Sequence, residues 1–328
     1  EERRAAAALR VSETTVTADS PDPFVIKALH EQFELGSAAA AKSASGRPIP
    51  VTLFKPHEHQ NMVPDRDPGF IFPIEVLKNV LMCIERNIPV YLWGHMGTGK
   101  STVIEQACAY TNRPCVRIQH TLNTEEAHIL GQWVLRGGEM IYQPGWLPLA
   151  MRNGWVYCAD EYDFAVPHIL SVYQPVLEGK SLIIKDGSEE WRVVKPHPNF
   201  RFAATGNTNG TGDETGLYQG TQIQNAANYE RFGVVVKVEF PEPEIEKRIL
   251  IARQGLSGDD ADKFVKFANM IRANTDVSMP ITPRSLSRSA EIGKLRGNFR
   301  VGLELAYVSR LSAVEREVVK QVAQRVFG

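Results

Sequence analysis

The chain has 328 residues, 43% of them hydrophobic and 23% charged, the proportions of a globular protein with room for one large domain or two ordinary ones. A formal net charge of −1 argues against a dedicated nucleic-acid surface, although a local basic patch is compatible with it. No apolar run approaches the roughly 20 residues that cross a bilayer, and no charged segment leading into an apolar one opens the chain, so neither membrane insertion nor export is expected.

Residues 1–62 carry little pattern. An alanine run (Ala5 to Ala8), a Ser-Pro-Asp-Pro stretch (Ser20 to Pro23) and a small-residue tract (Gly36 to Gly46) read as linker, with one short amphipathic helix expected over Phe24 to Leu35. His57-Glu58-His59 is the one local cluster of potential metal ligands and, lacking further ligands nearby, reads as a solvated loop. From Phe72 the texture changes. Ile74, Val76, Leu77, Val80, Leu81 and Ile84 follow helical spacing, and Pro89 to Trp93 reads as a buried strand. Four more short apolar runs follow, at Pro114 to Gln119, Trp155 to Ala159, Phe200 to Thr205 and Val234 to Phe240. Such strands, separated by helical patterns, predict an α/β core of 63–242 with a parallel sheet covered on both faces. Beyond Pro241-Glu242-Pro243 only helical periodicity remains, so 243–328 is expected to form a small all-helical domain. The four cysteines (Cys83, Cys108, Cys115, Cys158) lack C-x-x-C spacing and predict buried thiols in a reducing cytoplasm.

The chemistry concentrates at Gly94-His95-Met96-Gly97-Thr98-Gly99-Lys100-Ser101, between the first core strand and a helix whose apolar face includes Val103, Ile104, Ala107 and Cys108. In a G-x-x-x-x-G-K-[ST] loop the glycines let successive N–H groups point at phosphates, and the following helix, running on through Thr102, adds its positive end. Lys100 is then expected to reach the β- and γ-phosphates of ATP, and Ser101 to offer its hydroxyl to Mg²⁺. The strand Trp155 to Ala159 delivers two acids, Asp160 and Glu161, at its C-terminal end, where ligands sit in open α/β sheets. Asp160 suits a water-mediated contact to Mg²⁺, and Glu161 suits activation of the attacking water. Asp163 extends the acidic run. Beyond the next core strand, Asn207 is placed to position that water, or is an ordinary turn residue after Gly206.

These motifs, with the runs Pro114 to Arg117, Asp160 to Asp163, Pro196 to Arg201, Ala204 to Thr208 and Gly212 to Gln222, resemble the AAA+ ATPases, specifically the MoxR-type group with its branch of cobaltochelatase ATPase subunits. The resemblance covers about residues 72–240, and the helical part more loosely. It implies a five-stranded P-loop core with two β-hairpin insertions and a helical lid. It also implies that Asn207 is the sensor-1 residue and that Arg231 is an arginine finger reaching a neighbouring subunit's nucleotide, a contact worth about 10³ to 10⁵ in rate. Arg284 falls on the sensor-2 position at the start of a lid helix, with Arg248 and Arg288 as rivals nearby in sequence. Two candidate hairpins are visible, Gly131 to Leu135 with Glu139 to Gln143, and Ser181 to Lys185 with Trp191 to Lys195. They are either plain edge ribbons or, by resemblance, the client-gripping surface of a hexameric ring.

Three functions are compatible with this set. A remodelling ATPase forms a homo-oligomeric, hexameric ring, and the resemblance implies a protein partner with a von Willebrand A domain; a metal-chelatase ATPase subunit is one form of it. A nucleic-acid motor is the alternative, but the second hairpin mixes Lys185, Arg192 and Lys195 with Asp186, Glu189 and Glu190, a poor surface for tracking phosphates. A ring component that binds ATP without hydrolysing it is hard to reconcile with intact Lys100, Asp160, Glu161, Asn207 and Arg231.

Overall fold

In the computed structural model, alternate residues of each core strand face opposite sides of one parallel sheet, and both sides are apolar. The structure describes residues 23–36, 39–43 and 45–328; the alanine run Ala5 to Ala8, most of the Ser20 to Pro23 stretch and parts of the small-residue tract lie outside them.

Phe24–Ala28 (β1) pairs antiparallel with Pro50–Phe54 (β2), and only Leu29–Gln32 makes a helical turn. The single helix expected over Phe24 to Leu35 is therefore replaced by a strand and a turn. β-branched Val25 and Ile26 suit a pleated ladder, and the partner strand that stabilises it lies beyond the small-residue tract. Leu29, Phe33 and Val51 from this ribbon are buried with Leu77, Val80 and Ile84 of Ile74–Arg86 (α1).

The core alternates as expected: Val90–Trp93 (β3), Lys100–Tyr110 (α2), Cys115–Gln119 (β4), Gly131–Arg136 (β5) paired with Glu139–Pro144 (β6), Trp146–Asn153 (α3) and Val156–Asp160 (β7). Leu182–Ile183 (β8) pairs with Val193–Val194 (β9), then come Arg201–Gly206 (β10) and Val234–Lys237 (β11). The sheet runs β11-β3-β10-β7-β4 and is parallel throughout. Val90, Leu92, Val156 and Cys158 face α1 and α2, whereas Tyr91, Tyr157 and Ala159 face α3 and the segment around Tyr173. Burial on both faces explains why these strands read as continuous apolar runs.

Pro243–Gln254 (α4), Gly258–Arg272 (α5), Pro283–Arg296 (α6), Phe299–Ala306 (α7) and Ala313–Phe327 (α8) enclose a separate apolar cluster around Phe264, Phe267, Ile281 and Leu303. Four of the five are capped at the N-terminus by a side chain, Ser257, Thr282, Asn298 or Ser312, that accepts a backbone N–H of the first turn, and α4 opens instead with Pro243. All four cysteines are free and buried.

Candidate active site

Where β3 ends, the chain turns at Gly94, whose φ of 144° and closeness to β11 leave no space for a side chain; a Cβ would lie 2.3 Å from the Val238 carbonyl oxygen. The loop then curls back so that Lys100 opens α2. Its ammonium donates to the carbonyls of Gly94 (2.7 Å) and His95 (2.9 Å) and to Asn207 Oδ1 (3.1 Å). All three of its hydrogens are thus committed inside the chain. Burial lowers its pKa from 10.5 to about 8, against the opposing pull of Asp163, Asp160 and Glu161. The loop's other face is pinned. The His95 ring stacks on Phe240 and hydrogen-bonds the Tyr218 hydroxyl (2.8 Å), which also accepts the Met96 N–H (3.3 Å), while Thr98 donates to the His95 carbonyl (2.8 Å). Ser101 and Thr102 in the first turn of α2 keep hydroxyls without a hydrogen-bond partner among the described residues.

Two strands away, β7 carries Asp160 to the same end of the sheet. Asp160 Oδ2 accepts from Arg117 of β4 through Nε (2.8 Å) and Nη2 (2.6 Å), and Arg117 also reaches Glu105 of α2 (3.4 Å). Asp160 Oδ1 accepts from the Thr205 hydroxyl of β10, the strand between β3 and β7. Thr205 in turn accepts the Glu161 N–H (3.2 Å). Glu161 sits in the left-handed region at φ 51°, a conformation that costs a non-glycine residue about 1 kcal/mol and here turns its carboxylate to accept from Gln119 Nε2 (2.8 Å). Asp163 is fully buried. Its Oδ2 accepts the N–H groups of Asn207 and Thr208 (both 2.8 Å) and the Thr208 hydroxyl (2.9 Å), and burial pushes its carboxyl pKa up. The third acid therefore braces the loop that presents Asn207.

Lys100, Asn207, Asp160 and Glu161 are thus linked along the C-terminal edge of three adjacent strands, β3, β10 and β7. The family description that matches residues 89–222 is the AAA domain of the dynein-related subfamily. The aerobic cobaltochelatase subunit CobS of a Sinorhizobium species is 34% identical over 279 residues, covering 81% of this chain and 83% of that protein. This chain is an AAA+ ATPase of the MoxR-type group. NorQ of Paracoccus denitrificans is 24% identical over 246 residues, covering 74% of this chain and 87% of NorQ. Midasin of Dictyostelium discoideum is 29% identical over 218 residues, which are 63% of this chain and 4% of midasin. An AAA domain binds nucleotide, and the P-loop of this AAA+ ATPase lies within the matched span.

The arginines fall into two groups. Arg284 opens α6 and lines a cavity beside Met96 and Gly97, so the structure brings it to the P-loop. Its rivals stand apart: Arg288 pairs with Glu291 of its own helix (2.7 Å), and neither it nor Arg248 lines that cavity. Arg231 is not brought to the site. It pairs with Glu178 (2.6 Å) and donates to the Ala227 carbonyl, on the approach to edge strand β11.

The sequence pattern gives no mark to Glu178, and it shows Arg117, Gln119, Thr205 and Tyr218 only as parts of longer runs. One signal was available. In a parallel AAA+ sheet the polar residues at the C-terminal end of every core strand converge, and Gln119 is in register with Asp160. His57 is used structurally, bonded to the Asn112 carbonyl (3.0 Å), and among the described residues no group of three metal-ligating side chains forms.

Proposed function

We propose that this AAA+ ATPase hydrolyses Mg-ATP as an oligomeric, hexameric ring and uses the cycle to remodel a partner protein. The observation that carries the reading is the convergence of Lys100, hydrogen-bonded to Asn207, with Asp160 and Glu161, both hydrogen-bonded to Thr205, at the end of β10. In this reading the N–H groups of Gly97 to Ser101 and the Lys100 ammonium take the phosphates. Glu161 orients and deprotonates water, Asn207 positions it, and Arg284 approaches from the lid. The donor set fits Mg²⁺: the unpartnered Ser101 hydroxyl and the Asp160 carboxylate are hard oxygen ligands, and no soft ligand accompanies them. Bound there, the ion would neutralise charge developing on the transferred phosphoryl group.

Residues 63–242 form the ATPase core in this proposal, 243–328 the lid, and 1–62 an N-terminal segment. The client contacts the two hairpins. Trp133 of β5 donates to the Asp186 carbonyl (2.6 Å), so the hairpins are tied together, and Leu135, Met140 and Ile183 present apolar side chains to solvent. Resemblance points to a partner with a von Willebrand A domain, and CobS, named as a cobaltochelatase subunit, makes a metal chelatase one setting for the same machine. The mixed charge around β8 and β9 gives no reason to prefer nucleic acid as the client. A cytoplasmic location belongs to the same reading. It is supported by four buried cysteines that are all unpaired, and no helix of the described residues is long and apolar enough to cross a membrane.

Subunit mixing is the test. Lys100→Ala and Arg231→Ala should each be nearly inactive alone, with the loss of the finger amounting to about 10³-fold or more. Mixed, they should recover turnover, because an intact Lys100 site in one subunit meets an intact Arg231 from the next. Absence of recovery with both proteins folded refutes the shared site. Glu161→Gln should bind ATP and fail to turn it over; unchanged turnover removes Glu161 from its assigned role.

A further inference from the structure

A cavity separates the P-loop from the lid helices, lined by Met96, Gly97, Thr282, Arg284, Tyr307 and Arg310 among others, and no Asp or Glu lines it. The two walls are close, since a Cβ on Gly97 would lie 3.1 Å from Thr282 Cβ and 3.5 Å from Arg284 Cβ. Both Arg284 and Arg310 have guanidinium groups without a hydrogen bond or ion pair among the described residues. Other arginines near acids in this chain are paired, including Arg117, Arg231, Arg272 and Arg288. An unpartnered arginine on an open surface is ordinary. Arg284 and Arg310 are both exposed, but they share one cavity with the P-loop and concentrate positive charge that no acid lining it offsets.

The turn that carries Arg310 is well anchored. Tyr307, 1% exposed, donates its hydroxyl to the Met279 carbonyl (2.6 Å), tying the turn to the segment that leads into Thr282 and Arg284. The Arg310 N–H bonds the Tyr307 carbonyl (3.1 Å). Arg316 braces the far side through the Ser309 and Leu311 carbonyls (both 2.9 Å). Glu315, the acid nearest in sequence, is occupied by Ser278 and Ser312, which hold its pKa down at about 2. The nearby Arg284 charge also helps to depress the Lys100 pKa, so cations from both walls already repel one another.

We propose that Arg310 is a second lid arginine that binds the polyphosphate of a nucleoside di- or triphosphate, acting with Arg284 across the cavity from the P-loop. The inference rests on the nucleotide-site reading above and adds to it a residue that no motif marks. A polyanion supplies the negative charge the cavity lacks, and Arg284 and Arg310 meet it from the lid side while the P-loop meets it from the other.

The test is equilibrium binding to the full chain of a fluorescent ATP analogue, of inorganic tripolyphosphate and of adenosine as competitors, with melting curves on every variant. Arg310→Ala should weaken the ATP analogue and tripolyphosphate about tenfold, the loss of one charge-assisted contact, while leaving adenosine unchanged. Arg310→Lys, which keeps the charge, should recover most of the loss. Affinities for both phosphate ligands within twofold of the parent overturn the proposal. So does an equal loss for adenosine, which marks a contact to the base or a general structural effect. Lys100→Ala separates the two levels: if it binds tripolyphosphate normally, the nucleotide-site reading itself fails, whatever Arg310 does.

Discussion

If Lys100 binds phosphate as proposed, ATP affinity should depend on pH in a direction fixed by the surroundings of Lys100. Lys100 is 9% exposed, its ammonium is held by two carbonyls and an amide oxygen, none of them charged, and burial brings its pKa from 10.5 to about 8. In the folded, unliganded chain the neutral amine is therefore favoured more than in the unfolded chain. The cost of keeping Lys100 charged is fully present below pH 8 and is relieved as pH rises from 8 to 10.5, a span worth about 3 kcal/mol to stability. Binding a polyphosphate has the opposite preference, because it needs the ammonium. Relative to pH 7, Kd should rise about twofold by pH 8 and about tenfold by pH 9. The γ-phosphate is already ionised over most of that range and adds little. Titration with a fluorescent ATP analogue at constant ionic strength reads this directly. Lys100→Arg keeps its charge throughout and should lose the alkaline decline. A wild-type affinity that stays flat to pH 9.5, or an equal decline in Lys100→Arg, refutes the assignment.

Three further substitutions test the surrounding network. Arg117→Ala removes both donors to Asp160 Oδ2 and leaves a carboxylate with 6% exposure short of its counter-ion. With Arg117 itself partly exposed, a loss of about 2 kcal/mol is expected in urea unfolding, and Arg117→Lys should restore part of it. Asp163→Ala strands two N–H groups and a hydroxyl at Asn207 and Thr208, so it should cost about 3 kcal/mol and lower kcat through a displaced Asn207; an unaltered kcat separates the brace from catalysis. Tyr218→Phe deletes the hydroxyl shared by His95 and Met96, with an expected loss of about 1 kcal/mol and faster amide exchange at Met96. Unchanged exchange there would show that the loop is held by other contacts.

Much of the core was legible because burial on both faces writes a sheet strand as an unbroken apolar run. Val90–Trp93, Cys115–Gln119, Val156–Asp160 and Arg201–Gly206 all lie within a residue of their expected spans. The second hairpin shrinks to two residues per strand, with one further bond from the Ile184 N–H to the Arg192 carbonyl (2.9 Å) before the chain turns back at 185–191. The β1–β2 ribbon was invisible, since each strand gains its ladder only from a partner distant in sequence. The site divides in the same way. Lys100, Ser101, Asp160 and Glu161 are marked by local spacing, whereas Arg117 and Gln119 matter through cross-strand neighbours, and Thr205 through its place between β3 and β7. The left-handed backbone at Glu161 has no sequence signature, since a glutamate is not the residue such a turn normally selects.

Four charged groups of this site are hydrogen-bonded within the chain, two to neutral partners and two to ions: Lys100 to carbonyls, Glu161 to Gln119, Asp160 to Arg117 and Arg231 to Glu178. In the proposed shared site, nucleotide entry would be an exchange of partners, and the partners differ in how readily they let go. The Arg231–Glu178 pair is partly solvent-exposed on both sides, where screening leaves an ion pair little net strength, so the proposed trade of this glutamate for a neighbour's phosphate would cost Arg231 little. The Asp160–Arg117 pair has its acid buried and gripped by two strands, so Asp160 holds its position through the exchange. Lys100 lies between, buried but bonded only to neutral oxygens, all of which a phosphate outcompetes. The division matches what a shared site requires: fixed acids on the sheet, a lysine that responds to ligand, and an arginine held loosely enough to reach another subunit.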